Sequence, residues 1–305
     1  MIIILISIVI GFIVLIVAII CLAALYFTFK VISPVTSSYE ASLEYELNNN
    51  RITKQLLEKY NKKEIEIVSK FGYNLYGWFF EAENSLKTVV ICHGITCNVI
   101  SSLKYMELFR KRGYNVLIYD HRNHGRSGGK YTTFGHYEKY DLQSWVDWIY
   151  ERYGNVAKVG TLGESLGAIV ALQNTAIDDR LAFCVADCAA SDLFSLLKYR
   201  LKVEYHLPAF PLLQVSSFLC WLITGMSYYK VSPIQAIKTV NTPIFFVHGA
   251  EDTYIPTKMS KQMYEVKKGL KKIYIAEGAG HATSLITDST EYEKQLNDFL
   301  NMINF

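Results

Sequence analysis

Lys158-Val159-Gly160-Thr161-Leu162-Gly163-Glu164-Ser165-Leu166-Gly167-Ala168-Ile169-Val170-Ala171-Leu172 joins a strand-like run to a helix-like run through a turn holding two glycines and one serine. The turn fits G-x-S-x-G, a pattern short enough to arise by chance, so its setting carries the weight. It directly follows the expected strand Lys158–Leu162 and directly precedes the helical run Leu166–Gln173. A side chain lifted out of a sheet on such a turn needs small neighbours, because the backbone is strained and close to both elements. The competing explanation is a helix N-cap serine flanked by packing glycines.

On either side of this stretch, short continuous apolar runs alternate with helical segments. Strands are expected at Thr88–Cys92, Asn115–Tyr119, Val156–Gly160, Leu181–Ala186, Pro243–Val247 and Lys272–Ile275. They are rich in Val, Ile and aromatics, as strands covered on both faces are. Helices are expected near Ser101–Arg112, Tyr137–Tyr153, Leu166–Thr175, Lys258–Lys268 and Glu291–Ile303. The alternation predicts an α/β fold, a mostly parallel sheet with helices on both faces. Glu64–Val68 and Leu75–Phe80, around Phe71-Gly72-Tyr73-Asn74, read as an opening antiparallel hairpin. Between about Leu193 and Ile237 no strand pattern appears, and the run is too apolar to stay solvated. It reads as a helical cap insertion, with a further sheet element as the alternative.

Serine is a weak nucleophile and needs an adjacent base. On a sheet of this type the order is serine, then acid, then histidine. His281 follows the last expected strand in Glu277-Gly278-Ala279-Gly280-His281, where glycines let the loop bend back. The preceding strand ends in His248-Gly249-Ala250-Glu251-Asp252-Thr253-Tyr254-Ile255-Pro256. Asp252 is the candidate acid, with Glu251 as runner-up and Asp187 or Asp192 as variants placed one strand earlier. The amides of Leu166 and of Ile95, in His93-Gly94-Ile95-Thr96, are the candidate oxyanion donors.

From about residue 64 onward the chain resembles the α/β-hydrolases, in the group of serine aminopeptidase-like and monoacylglycerol-lipase-like enzymes. The resemblance rests on His93-Gly94, Asp120-His121-Arg122-Asn123-His124-Gly125-Arg126-Ser127, Gly163–Gly167, His248-Gly249 with Asp252 and Pro256, and Gly280-His281. It implies a catalytic triad of Ser165, Asp252 and His281, with a structural role for the turn Asp120–Ser127. It also implies hydrolysis of an acyl ester, with peptide or amide hydrolysis and acyl transfer as alternatives. A non-catalytic, membrane-bound binding protein on the same fold is the alternative of a different class. His121 and His124 beside Asp120 match no familiar metal-ligand spacing, and no metal or organic cofactor is implied. The cap aromatics Phe210, Phe218 and Trp221 are the candidate lining of an acyl pocket, and with the amino-terminal run they point to a lipid-like substrate.

Ile2–Phe29 holds no charged side chain. A helix of that length exceeds the roughly 30 Å hydrocarbon core. It lacks the basic start and the short apolar stretch of a cleaved signal peptide, so a single-pass anchor over 1–30 is expected. A polar, mostly helical connector over 31–63 then leads into a domain over 64–305, with its cap at about 193–237. Lys30 is the lone basic residue near the span, and Glu40, Glu44 and Glu46 follow it, a slight lean to an extracytoplasmic domain. Of 305 residues 19% are charged, the formal charge is +3, and no Lys/Arg-rich run exists, which disfavours a nucleic-acid partner. The six cysteines form no C-x-x-C pair and read as free thiols, mostly buried.

Overall fold

A computed structural model describes all residues, Met1–Phe305. Its centre is one eight-stranded sheet in the order β1-β2-β4-β3-β5-β6-β7-β8. The strands are β1 Lys63–Val68, β2 Asn74–Phe80, β3 Lys87–Cys92, β4 Asn115–Tyr119, β5 Lys158–Glu164, β6 Leu181–Asp187, β7 Ile244–Gly249 and β8 Lys271–Ala276. β1 and β2 form the expected hairpin, β2 pairs antiparallel with β4, and every pairing from β4 to β8 is parallel. β4 and β7 are buried along their whole length, which is why their sequences read as unbroken apolar runs rather than as alternation. Two large apolar clusters, one on each face, make the core.

The helices are α1 Ile2–Ile32, α2 Tyr39–Asn48, α3 Lys54–Lys59, α4 Leu103–Arg110, α5 Glu138–Tyr153, α6 Leu166–Asn174, α7 Leu193–Tyr205, α8 Leu212–Thr224, α9 Pro233–Ala236, α10 Lys258–Val266, α11 Ser284–Thr287 and α12 Ser289–Met302. β5 begins at Lys158 and not at Val156, because residues 154–156 form a tight 3-10 turn. It runs on to Glu164, which sets Ser165 at the carboxyl edge of the sheet. The interval 193–237 carries α7, α8 and α9 joined by loops, and adds no strand. All six cysteines are free, and Cys21 on α1 is exposed.

α1 is long and apolar enough to cross a membrane. Its first eighteen residues, 2–19, are exposed on every side, whereas Ala24, Thr28 and Ile32 are buried at a four-residue step. That stripe packs on α8. Ala24 clusters with Leu201 and Leu212, and Thr28 Oγ1 lies 2.9 Å from Ser216 Oγ. The constant offset between these pairs means that α1 and α8 run parallel. The connector is also fastened to the domain. Ser37 N–H donates to Thr96 O at 2.8 Å, Asn98 Nδ2 donates to Ser42 Oγ at 2.9 Å, and Tyr39 donates to Asp120. The end of α1 and the segment 31–63 are thus built into the body that the sequence assigns to 64–305.

Candidate active site

Ser165 sits between β5 and α6 with φ 55° and ψ −113°, a sparsely populated conformation for any residue with a side chain. The flanking glycines are there because nothing larger fits. A Cβ on Gly163 would lie 2.2 Å from Gly167 O, and one on Gly167 would lie 2.0 Å from Cys92 O on β3. Helix and strand therefore approach closely enough to force the turn, and Ser165 points from it above the sheet edge. The amino terminus of α6 lies directly behind the serine and adds partial positive charge there.

His281, in the loop after β8, reaches this point. Its Nε2 is 3.0 Å from Ser165 Oγ, and its Nδ1 is 2.7 Å from Asp252 Oδ2. A carboxylate only accepts, so Nδ1 carries the proton and Nε2 offers its lone pair to the serine hydroxyl. Asp252 Oδ1 accepts the Tyr254 and Ile255 amides at 2.8 Å each, and His248 Nε2 stands 3.1 Å from Oδ2. Burial works against charge at this carboxyl, but the His248 and His281 hydrogen bonds overcome it and hold the group below its ordinary range. The other acids lie elsewhere. Glu251 is exposed, Asp192 caps α7 through the Ser195 amide at 2.9 Å, and Asp187 is buried against Tyr105 at 3.1 Å.

The Ile95 and Leu166 amides have no acceptor within the chain. Ile95 lies in the loop after β3, where a Cβ on Gly94 would be 3.7 Å from Ser165 Cβ. Three buried imidazoles brace that loop. His93 Nε2 accepts the His121 amide at 2.9 Å, so its Nδ1 carries the proton and donates to Gly94 O at 2.7 Å. His124 Nδ1 donates to Arg122 O at 2.8 Å, and its Nε2 accepts the Thr96 amide at 3.3 Å. Burial pushes all three histidines down, His121 to about 3, so they are neutral. Asp120, pushed up to about 6 by burial, accepts the Val99 amide at 2.9 Å and the Arg126 amide at 2.8 Å. Gly125 has no room for a Cβ against that carboxylate. His121 and His124 thus hold the loop in place. A second group of potential metal ligands, Cys188, Asp252 and His281, has its atoms within 4.8 Å of one another. His281 and Asp252 are engaged with each other, and burial keeps the Cys188 thiol protonated.

Two cavities meet here. One, of about 580 Å³, holds Ser165 and His281 and is walled by the connector through Ser42, Glu46 and Arg51. The other, of about 940 Å³ and mostly apolar, lies between α1 and the cap. They share Ile95, Thr96 and Tyr254. Phe210, Phe218 and Trp221 line neither, which corrects their assignment as pocket wall. They are 73%, 56% and 49% exposed. α8 buries Leu212, Leu213, Ser216, Ser217 and Cys220, so residues 218 and 221 fall on the opposite face, while Phe210 lies in the loop before the helix.

Other features of the site escaped the sequence reading. The Tyr254 ring packs on His281 with centroids 4.8 Å apart, and the Arg200 guanidinium of α7 lies over the same Tyr254 ring, 4.0 Å from its centroid. Beneath the serine, the buried Lys104 ammonium is 2.5 Å from Glu164 Oε2, and Tyr105 Oη is 2.7 Å from the same oxygen. The signal for this pair was a glutamate inside a turn with no room for solvent, which demands a buried cation.

A mainly parallel sheet with a serine at its central strand–helix turn, an acid after the next-to-last strand and a histidine after the last defines the α/β-hydrolase class. The model of the alpha/beta hydrolase fold matches residues 87–203. The chain is 39% identical over 267 residues to the "Uncharacterized protein YqkD" of Bacillus subtilis (strain 168), covering 87% of this chain and 88% of that one. It is 25% identical over 227 residues to the human "Protein ABHD12B", covering 70% and 60%. Among solved structures, the esterase Pf2001 of Pyrococcus furiosus superposes with a TM-score of 0.67 at 25% identity, covering 82% of this chain and 96% of that one. The chain belongs to the α/β-hydrolase superfamily.

Proposed function

We propose that this chain is a membrane-anchored serine hydrolase that cleaves acyl esters, with lipid-like esters as the favoured class. Ser165 Oγ attacks the acyl carbon while its proton passes to His281 Nε2, and Asp252 holds the imidazole in the required tautomer and stabilises the imidazolium. Charge developing on the carbonyl oxygen is met by the free Ile95 and Leu166 amides. The alcohol leaves with the proton from His281, and water, activated by the same histidine, releases the acid. The observation that carries this reading is the continuous hydrogen-bonded path from Ser165 through His281 to Asp252, opening on a cavity. The esterase named above and the apolar cavity support esters as substrates. Residues 2–19 are the proposed membrane span, with the domain leaning to the extracytoplasmic side.

Labelling by a fluorophosphonate, paired with a panel of p-nitrophenyl esters, tests the reading. Ser165→Ala is expected to abolish labelling and lower kcat/KM by about 10⁴-fold or more, with thermal unfolding retained. Equal labelling of wild type and variant would overturn the nucleophile.

A further inference from the structure

The 940 Å³ cavity has an unusual wall. Leu22, Leu25, Tyr26 and Phe29, all on the membrane-anchor helix α1, line one side, and Leu197 and Leu213 of the cap line the other. Its inner end is at Ile95, Thr96 and Tyr254, which also line the cavity holding Ser165. Its outer end is at Leu22, which is 68% exposed and lies just past the run of α1 that is bare on every side. From Leu22 to Val31, the first and last residues of α1 on this wall, the helix rises roughly 14 Å. The space is therefore a passage from the place where the anchor emerges to the neighbourhood of the serine.

Taking Ser165 as the nucleophile of an ester hydrolase, we infer that this passage is the acyl-chain site, and that the membrane anchor is itself a wall of the substrate pocket. Three observations converge on that occupant. Fifteen of its 22 lining residues are hydrophobic, which suits a hydrocarbon chain, and of the charged ones Arg200 and Glu204 pair with each other while Lys30 stands on α1. The cavity that holds Ser165 is lined by Ser37, Ser42, Glu46 and Arg51 among others, so the polar, leaving-group half of an ester has its own place beside the serine. The loop between α7 and α8 carries exposed Leu207 and Phe210. Because α8 runs parallel to α1 with Leu212 beside Ala24, that loop stands at the end where α1 leaves the domain. A lipid ester in the bilayer would meet Leu207, Phe210 and the cavity mouth together.

A long-chain alkyl fluorophosphonate with a diazirine near the far end of its chain tests this on the full-length protein in vesicles. Ser165 Oγ displaces fluoride from phosphorus, its proton is taken up by His281, and the tethered chain is then irradiated. Crosslinks are expected in peptides spanning residues 22–33 and 197–213. Crosslinks confined to residues 37–51, or found only on lipid, would overturn the chain site while leaving the nucleophile intact. Absence of labelling at Ser165 would take down the ester-hydrolase reading and this inference with it. Leu25→Trp, which fills the passage, is expected to lower the palmitoyl-to-acetyl ratio of kcat/KM by about tenfold, the equivalent of losing one to two buried methylenes. An unchanged ratio in a variant that still labels would also overturn the inference.

Discussion

Asp252 and Glu251 are neighbours in sequence, yet one is buried beneath His281 and the other faces water. The chain turns sharply after β7, and the Tyr254 and Ile255 amides fold back onto Asp252 Oδ1. That fixes which oxygen remains for His281. An asparagine at 252 would present an amide group to one of these donors, or accept from His281 without its charge, so the imidazolium would lose its partner. Asp252→Asn is expected to lower kcat/KM by about 10³- to 10⁴-fold. Glu251→Gln is expected to change it by no more than about twofold, as exposed substitutions do. Steady-state kinetics on one short ester decides, and a larger loss at Glu251 would relocate the acid.

At the level of elements, the contact between α1 and α8 sets how the amino-terminal helix meets the cap. Ser216 Oγ lies 2.9 Å from Thr28 Oγ1 and 3.0 Å from Tyr228 Oη, all three buried. Removing the Ser216 hydroxyl leaves the buried Tyr228 hydroxyl without this partner, at a cost of about 1–3 kcal/mol, while Thr28 Oγ1 keeps its bond to Ala24 O at 2.7 Å. Thr28→Val and Ser216→Ala are each expected to destabilise by that order. The double variant should lose less than the sum, by about 1 kcal/mol, because both changes remove the same Thr28–Ser216 hydrogen bond. Chemical unfolding in detergent measures the cycle. Strict additivity would mean that the helices do not pack through this pair.

For the whole molecule, burying the connector against the serine cavity has a consequence for pH. Burial pushes Glu46 up to about 7, although Lys104 and Arg51 pull the other way. Its value in the folded chain lies above the ordinary 4.5. The stability this group contributes is therefore complete below about 4.5 and is lost as pH rises through about 7, on the order of 2 kcal/mol. Asp120 and Asp187, each pushed up to about 6 by burial, add a fall in the same direction at lower pH. Glu46→Gln is expected to flatten the decline in Tm between about pH 4.5 and 7. Parallel curves for wild type and variant would remove Glu46 as the cause.

The sheet, its parallel order and the turn at Ser165 were legible in the sequence because each is enforced locally. A strand covered on both faces must be apolar throughout, and a helix that passes within contact of a strand must have glycine where they touch. His281 and the Asp252 loop were legible for a related reason, since each follows directly on a recognisable strand. What lines the cavities was not legible. α8 carries Phe218 and Trp221 on one face and Ser216, Ser217 and Cys220 on another, and apolarity alone points to the aromatics as the buried side. The small face is buried instead, because Ser216 meets Thr28 of α1 and needs close approach for its hydrogen bonds. That choice depends on a partner helix 188 residues away. The placing of α1 and the connector against the serine was hidden likewise, because Thr28, Tyr39 and Glu46 acquire their roles only from groups far along the chain. Local sterics wrote the elements into the sequence, and long-range packing alone determined which of their faces line the cavities.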